Sequence, residues 1–189
     1  MGEAGLAPAE LASVAVTVGP GSFTGIRVGL AAAQGIALAT GAQLIGITSF
    51  EAAAAASCGC ASEHDQFQLI ALESRREDLY IQLFDPFSDP IGEPAAVLPA
   101  RLVDSVRAAI GAMPLLVSGD AAPRAGFVLS GRPHTTICHD AEPLALGALR
   151  AALRLLRRGC KGSRVLPLYL RPPGVTLASG SRSADPTQP

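Results

Sequence analysis

Val14-Ala-Val-Thr-Val-Gly-Pro-Gly-Ser-Phe-Thr-Gly-Ile-Arg-Val-Gly-Leu-Ala-Ala-Ala-Gln-Gly-Ile-Ala-Leu-Ala39 decides the fold class of this chain. Val14 to Val18 is a short β-rich run that stops at Gly19-Pro20-Gly21. Ser22 or Thr24 is placed to cap a helix running to about Thr40, and Gly41 is placed to end it. Leu44 to Ile47 is nearly all apolar, as expected of a parallel strand covered on both faces. Strand, glycine loop, helix and strand make a βαβ unit.

Inside the helix Gly25, Gly29, Ala33, Ala37 and Gly41 recur every four residues. Such a ridge has no side-chain bulk and lets another element approach closely. Glycine inside a helix costs about 0.8–1 kcal/mol relative to alanine, so something must offset it. The chain's own sheet and a helix of another subunit are both open as the neighbour.

The glycine loop misses three standard chemistries. A Walker loop needs Gly-Lys-Ser/Thr, but Ile26 and Arg27 follow Gly25. A dinucleotide fingerprint needs a third glycine where Thr24 stands, and an acid about 20 residues on, where Ile47-Thr48-Ser49 stands. A nucleophile elbow needs glycines two residues either side of Ser22, where Pro20 and Thr24 stand.

Outward from this unit, Ser49 is placed to cap a second helix through Ala56, and Cys58 to Asp65 reads as a loop. Leu69 to Leu72 and Leu79 to Phe84 form an antiparallel hairpin around a short polar connection. Asp85 to Pro94 is Pro-rich and reads as a loop, Leu98 to Ile110 as a helix, and Leu115 to Val117 as a strand. Leu144 to Arg158 is an amphipathic helix, with Leu146, Leu149, Leu153 and Leu156 on one side and Arg150, Arg154 and Arg158 on another.

The 189 residues suit one domain or two small lobes. Charged residues are 16% against a usual share of about 25%, and 49% are hydrophobic, which excludes disorder over the whole length. Alanine occurs 34 times, so the core is built from small side chains and packs backbones closely. Net charge is -1, but residues 150–171 carry seven basic groups and no acid. That segment suits a phosphate backbone, an acidic partner or a solvated helix face. Ile26 to Ala39 reads as too short and too polar for a bilayer, and residues 1–4 lack the features of a signal peptide. Four cysteines do not make a disulfide scaffold, so the cytoplasm is the expected location. Cys58-Gly-Cys60 with His64, and His134, Cys138 and His139, could each supply three metal ligands, but neither has paired zinc-site spacing. No metal or cofactor is expected. Glu73, Asp78, Asp120 and Asp140 read as turn and strand-end residues, with nothing in the sequence to pair them, and Tyr80 as hairpin packing.

Thr17 to Ala39 resembles the signature of the TsaB family, the non-catalytic partner in bacterial N6-threonylcarbamoyladenosine synthesis on tRNA. Ile45 to Phe50 resembles the strand that follows it, and Ile70 to Tyr80 the family's "Asp-Ala-Arg … Gly-Glu-x-Tyr" hairpin. There Arg75 and Tyr80 match, while Glu73, Glu77 and Asp78 replace the family Asp, Gly and Glu. Pro167 to Pro173 resembles the closing segment.

The resemblance implies an α/β, actin-like, ribonuclease H-like fold of two lobes with mixed sheets. Residues 1–57 would be the remnant of a first lobe truncated at its N-terminus. Residues 58–173 would form the second lobe, with a helix at about 144–158 packed back on the first, and 174–189 a disordered tail. The implied partners are a TsaD-type catalytic subunit, a TsaE-type ATPase and, through the complex, tRNA, with a homodimer as an alternative pairing. Gly25, Arg27, Gly29 and Ala33 are the expected partner contacts; Arg154, Arg157 and Arg158 are the expected tRNA contacts. The competing function is an enzyme, either a glycoprotease-like metallopeptidase or an actin-like ATPase. Family members begin with strands ahead of Val14. A start-site error and a truncated gene are both open, and the 189-residue chain alone is expected to aggregate or to have a loosened first lobe.

Overall fold

The computed structural model describes residues 5–57, 65–160 and 165–171. Expectations for Cys58, Cys60, His64, Lys161, Arg164 and the 174–189 tail lie outside the described residues.

After a 3-10 turn at Pro8–Glu10, strand β1 (Ser13–Gly19) leads into helix α1 (Phe23–Thr40) and strand β2 (Gln43–Thr48). β1 and β2 are parallel, in register from Ser13 opposite Gln43 to Thr17 opposite Ile47. Ser22 caps α1, its hydroxyl accepting from the Gly25 N–H at 3.4 Å. Gly41 ends the helix in the left-handed conformation at φ 74°, where a side chain would be strained. Ile26 and Leu30 seat α1 against Val16, Val18 and Leu44, and Ala33 is buried on the same helix. α1 has 18 residues and, by length and composition alone, is long and apolar enough to cross a membrane, contrary to the shorter and more polar stretch inferred from sequence.

Helix α2 (Ser49–Ala56) begins one residue earlier than expected at its cap. Thr48, not Ser49, is the N-cap. The Glu51 N–H donates to the Thr48 hydroxyl at 3.0 Å, and the Thr48 N–H donates to the Glu51 carboxylate at 2.7 Å, a reciprocal box. Phe50 and Ala52 to Ala56 are all buried, because α2 serves two cores at once. Ala52 and Ala55 face Ile45 and Ile47 of β2, while Phe50, Ala53 and Ala54 face Ile70 and Phe84 of a second sheet.

That sheet has the order β5-β4-β3-β6-β7. β3 (Phe67–Glu73) and β4 (Leu79–Phe84) form the expected antiparallel hairpin. β6 (Leu115–Ser118) and β7 (Thr135–Ile137) run parallel to β3 and to each other. Its other face holds the largest core, where Leu69, Leu79 and Ile81 meet Leu102, Val106 and Ile110 of α3 (Pro99–Ile110) and Ala122 and Ala125 of α4 (Ala122–Val128).

Three further expectations change. The Pro-rich stretch is not all loop: Pro90–Val97 is strand β5. Prolines are tolerated there because β5 is an edge strand: Pro90 opens it, and Pro94 lies where the register shifts between Ile81 and Leu83. In helix α5 (Leu144–Arg157) the leucine side is not the main core side, although Leu156 at its end does pack on the core. Gly147, Ala148, Ala151 and Ala152 are buried against α2, while Leu146, Leu149 and Leu153 stay 37%, 51% and 43% exposed. At Gly147 a Cβ would lie 2.0 Å from the Ala52 carbonyl oxygen, so here a glycine sets the helix–helix distance. Finally, Cys138 is disulfide-bonded and Cys160 is an exposed free thiol, so cysteine content gives no argument for a reducing compartment.

Candidate functional site

The period-four ridge of α1 does not stay on one face. Four residues turn an α-helix by about 400°, so each step drifts about 40° around the axis. Gly25 is exposed, Gly29 is half-buried with open space around it, and Ala33 is in the core at 6% exposure. The outward face is built by different residues: Val28, Ala31, Ala32, Gly35, Leu38 and Ala39 are all exposed. Val28 is 62% and Leu38 88% exposed, and Ile36 beside them 47%. Beyond Gly35 there is open space. Of the expected contacts, Gly25 and Arg27 are accessible on α1, Gly29 in part, and Ala33 is not.

At the start of α1 three side chains meet. The Arg27 guanidinium lies over the Phe23 ring, 3.7 Å from its centroid, and its Nε donates to the Tyr169 hydroxyl at 3.1 Å. The rings of Phe23 and Tyr169 are 5.7 Å apart. Tyr169 is held in place by its neighbours. The Leu168 N–H donates to the Val18 carbonyl at 2.8 Å, and Val165 packs into the space that Gly46 leaves over β2. The spacing of 142 residues between Arg27 and Tyr169 hides this cluster from any sequence motif.

The α5 arginines lie in a different setting. Arg150 pairs with Glu142, Arg154 donates to the Phe87 carbonyl at 3.1 Å, and Arg158 pairs with Asp89 at 2.5 Å. The Arg158 hydrogen bond lowers the Asp89 carboxyl below its ordinary range, and Asp89 in turn raises Arg158. Four-residue spacing therefore ties α5 to the loop between β4 and β5. Of the three expected tRNA contacts, Arg157 alone is exposed and without an ion pair or hydrogen bond among the described residues.

A cleft of about 530 Å³ opens at the carboxyl ends of β1, β3, β6 and β7. Pro20, Ser49, Glu73, Ser118, Asp120 and His139 line it. Here the side chain of Asp120 meets the backbone of Glu73, two residues that the sequence left apart. The Glu73 N–H donates to the Asp120 carboxylate at 2.9 Å, because β6 lies beside β3. Gly119 makes the approach possible: at φ 103° a Cβ would sit 2.1 Å from the Ala71 carbonyl oxygen. The Glu73 carboxylate is itself paired with Arg124 at 2.5 Å, a residue without a sequence signal. Asp78 is buried and pairs with Arg171 at 2.7 Å, while half-buried Tyr80 packs against the core that holds Phe50 and Ile70. Among the described residues no three His, Cys, Asp or Glu side chains are grouped to hold a metal, and the Cys138 sulfur is already in a disulfide.

The parallel β1–β2 pair, the mixed five-stranded sheet and α2 between them define an α/β protein of the actin-like, ribonuclease H-like class. Residues 1–113 match the TsaD family, tRNA N6-adenosine threonylcarbamoyltransferase, over more than half of the 189 residues. The chain belongs to that family. It is similar in structure to YeaZ from Pseudomonas aeruginosa, with a TM-score of 0.72 and 23% identity over 89% of this chain and 78% of that one. It is likewise similar to an uncharacterized protein from Pseudomonas aeruginosa with similarity to peptidase YEAZ, with a TM-score of 0.70 and 23% identity over 90% and 78%. The TsaB resemblance is borne out at the level of family and fold, in a family associated with tRNA modification.

Proposed function

We propose that the chain is a non-catalytic scaffold subunit that pairs with a TsaD-type catalytic subunit for N6-threonylcarbamoyladenosine modification of tRNA. The outer face of α1 carries this reading. Val28, Ile36 and Leu38 stand in solvent at 62%, 47% and 88% exposure, on a helix whose single charge is Arg27. A contiguous apolar face on one long helix marks an interaction surface, and Arg27 with the capped, sheet-packed start of α1 favours a protein partner over a bilayer. Gly35 and the alanines beside it let a second helix come close. In the assembled pair a TsaE-type ATPase joins, and tRNA is reached through the complex.

Calorimetric titration of the purified chain into a TsaD-type subunit tests the pairing. Wild-type chain binds, and Leu38→Asp weakens binding by at least about tenfold, because it leaves a carboxylate buried without a partner. Modification of tRNA requires both subunits. Threonylcarbamoyl transfer or peptide hydrolysis by the chain alone would establish the enzyme instead, and unchanged affinity of Leu38→Asp would place the pairing away from α1.

A further inference from the structure

We propose that Arg27 is the specificity-determining charge of the α1 face, and that it receives an Asp or Glu carboxylate of the protein partner seated there. The proposal rests on the docking of a partner on α1 argued above. Three observations carry it. The guanidinium is held before any partner arrives: it is stacked on Phe23 at 3.7 Å, and its Nε is committed to the Tyr169 hydroxyl at 3.1 Å. Its terminal Nη groups have no hydrogen bond or ion pair among the described residues, and neither α1 nor residues 165–171 contain an acid. An oriented fork with its Nη donors free matches a carboxylate, and little side-chain freedom is left to lose on binding.

The surroundings choose the class of partner. Phe23 and Tyr169 are 44% and 39% exposed, and two rings with an arginine could also stack a nucleobase. Nucleic-acid affinity, however, comes from many phosphate contacts, and α1 offers no second cation. What adjoins the cluster on α1 is exposed Val28 and Ala31, and the apolar face runs on to Leu38 near the far end of the helix, surface that a protein covers and a phosphate backbone does not. Aromatic residues and arginine beside an apolar face match the residue types enriched in protein interfaces. Tyr169 is then a positioning residue, acting through the aim of Arg27.

The test is calorimetric titration into a TsaD-type subunit at low and high salt, with Arg27→Gln, Arg27→Lys, Tyr169→Phe and Leu38→Asp. Arg27→Gln is expected to weaken binding by about tenfold and to flatten its salt dependence. Arg27→Lys recovers only part, because a point charge does not reproduce the fork. Tyr169→Phe gives a smaller loss, and none when Arg27 is already Gln, which separates positioning from packing. Arg27→Glu combined with Asp/Glu→Lys changes scanned over the partner restores affinity at one position. Thermal melting shows whether each variant keeps its fold, which exposed Arg27→Gln is expected to do. If Arg27→Gln binds within twofold of wild type while Leu38→Asp loses binding, docking on α1 stands and the carboxylate proposal falls. If both bind normally, or the wild type does not bind, the docking itself falls, and the proposal with it. If Arg27→Gln spares the protein affinity but lowers tRNA affinity of the complex, the cluster serves nucleic acid and the proposal is overturned.

Discussion

Gly147→Ala adds one methyl group at the place where α5 rests on α2. The new Cβ would lie 2.0 Å from the Ala52 carbonyl oxygen and 2.9 Å from the Ala56 Cβ. Neither neighbour can rotate away, since one is backbone and the other has no further atoms. The helices must separate, and Ala148, Ala151 and Ala152 then lose contact with Ala52, Ala55 and Ile45. Overpacking of a well-packed core costs about 1–3 kcal/mol, and a clash with backbone belongs at the upper end. Better helix propensity returns about 1 kcal/mol, leaving a net loss of about 2 kcal/mol. For a chain of this size that lowers Tm by roughly 4–8 °C. Gly35→Ala is the matched control. It is the same substitution in α1, with nothing within 4 Å of the new atom, so propensity acts alone and Tm rises by about 2–4 °C. Thermal unfolding of the two variants beside the wild type decides the matter. If Gly147→Ala melts at or above the wild type, the close approach of α5 to α2 is not what holds that core together.

Three further outcomes follow from the same structure. As a strand β1 pairs with β2 alone among the described residues, with the Leu168 N–H donating to its Val18 carbonyl near the end, and it has neither proline nor charge, whereas β5 carries Pro90, Glu93 and Pro94. Ala15→Lys on exposed Ala15 should therefore reduce self-association of the chain in sedimentation velocity, and an unchanged profile would show that the β1 edge is not involved. Asp89 titrates below its ordinary range because of Arg158, so its ion pair adds stability above the unfolded carboxyl value of about 4 and loses it as pH falls through the lowered folded value. Asp89→Asn should bring the midpoints of the two proteins together in that acid window and leave them apart, by a small margin, at neutral pH; a difference that grows on acidification would contradict the assignment. In an assembled complex Arg157→Gln should reduce the salt slope of tRNA binding by about one, more than Arg158→Gln does, since Arg158 is already paired; equal slopes would remove α5 from the tRNA path.

The βαβ unit was legible because each of its signals is local: β-branched residues before Gly19, a hydroxyl at Ser22, a glycine at position 41. The hairpin was legible for the same reason. β5 was not, since proline argues against a strand unless the strand is known to lie on an edge, and edge position belongs to the whole sheet. α5 misled in a different way. Leucine spacing gives an amphipathic helix, but which side is buried depends on what it meets, and α2 offers alanines that accept glycine and alanine more closely than leucine. The ridge on α1 was a true period of four placed on a helix of period 3.6, so Gly25 faces out while Ala33 turns inward. The Phe23–Arg27–Tyr169 cluster and the Glu73–Asp120 contact join residues distant in the chain, and one sequence without a packing rule cannot bring them together.

α5 also sets a timetable for the chain as it leaves the ribosome. Its seat on α2 is finished when Ala56 has been made, but the helix that fills it starts 88 residues later, at Leu144. At about 5–20 residues per second, that leaves the alanine face of α2 without α5 for roughly 4–18 s. The β3–β4 hairpin, closed by a connection of five residues, forms well within that interval and gives Phe50, Ala53 and Ala54 their cover. Ala52 and Ala55 must wait. The nascent chain is thus open on one defined strip of small side chains, too shallow for most sticky contacts to hold, until α5 arrives to close it.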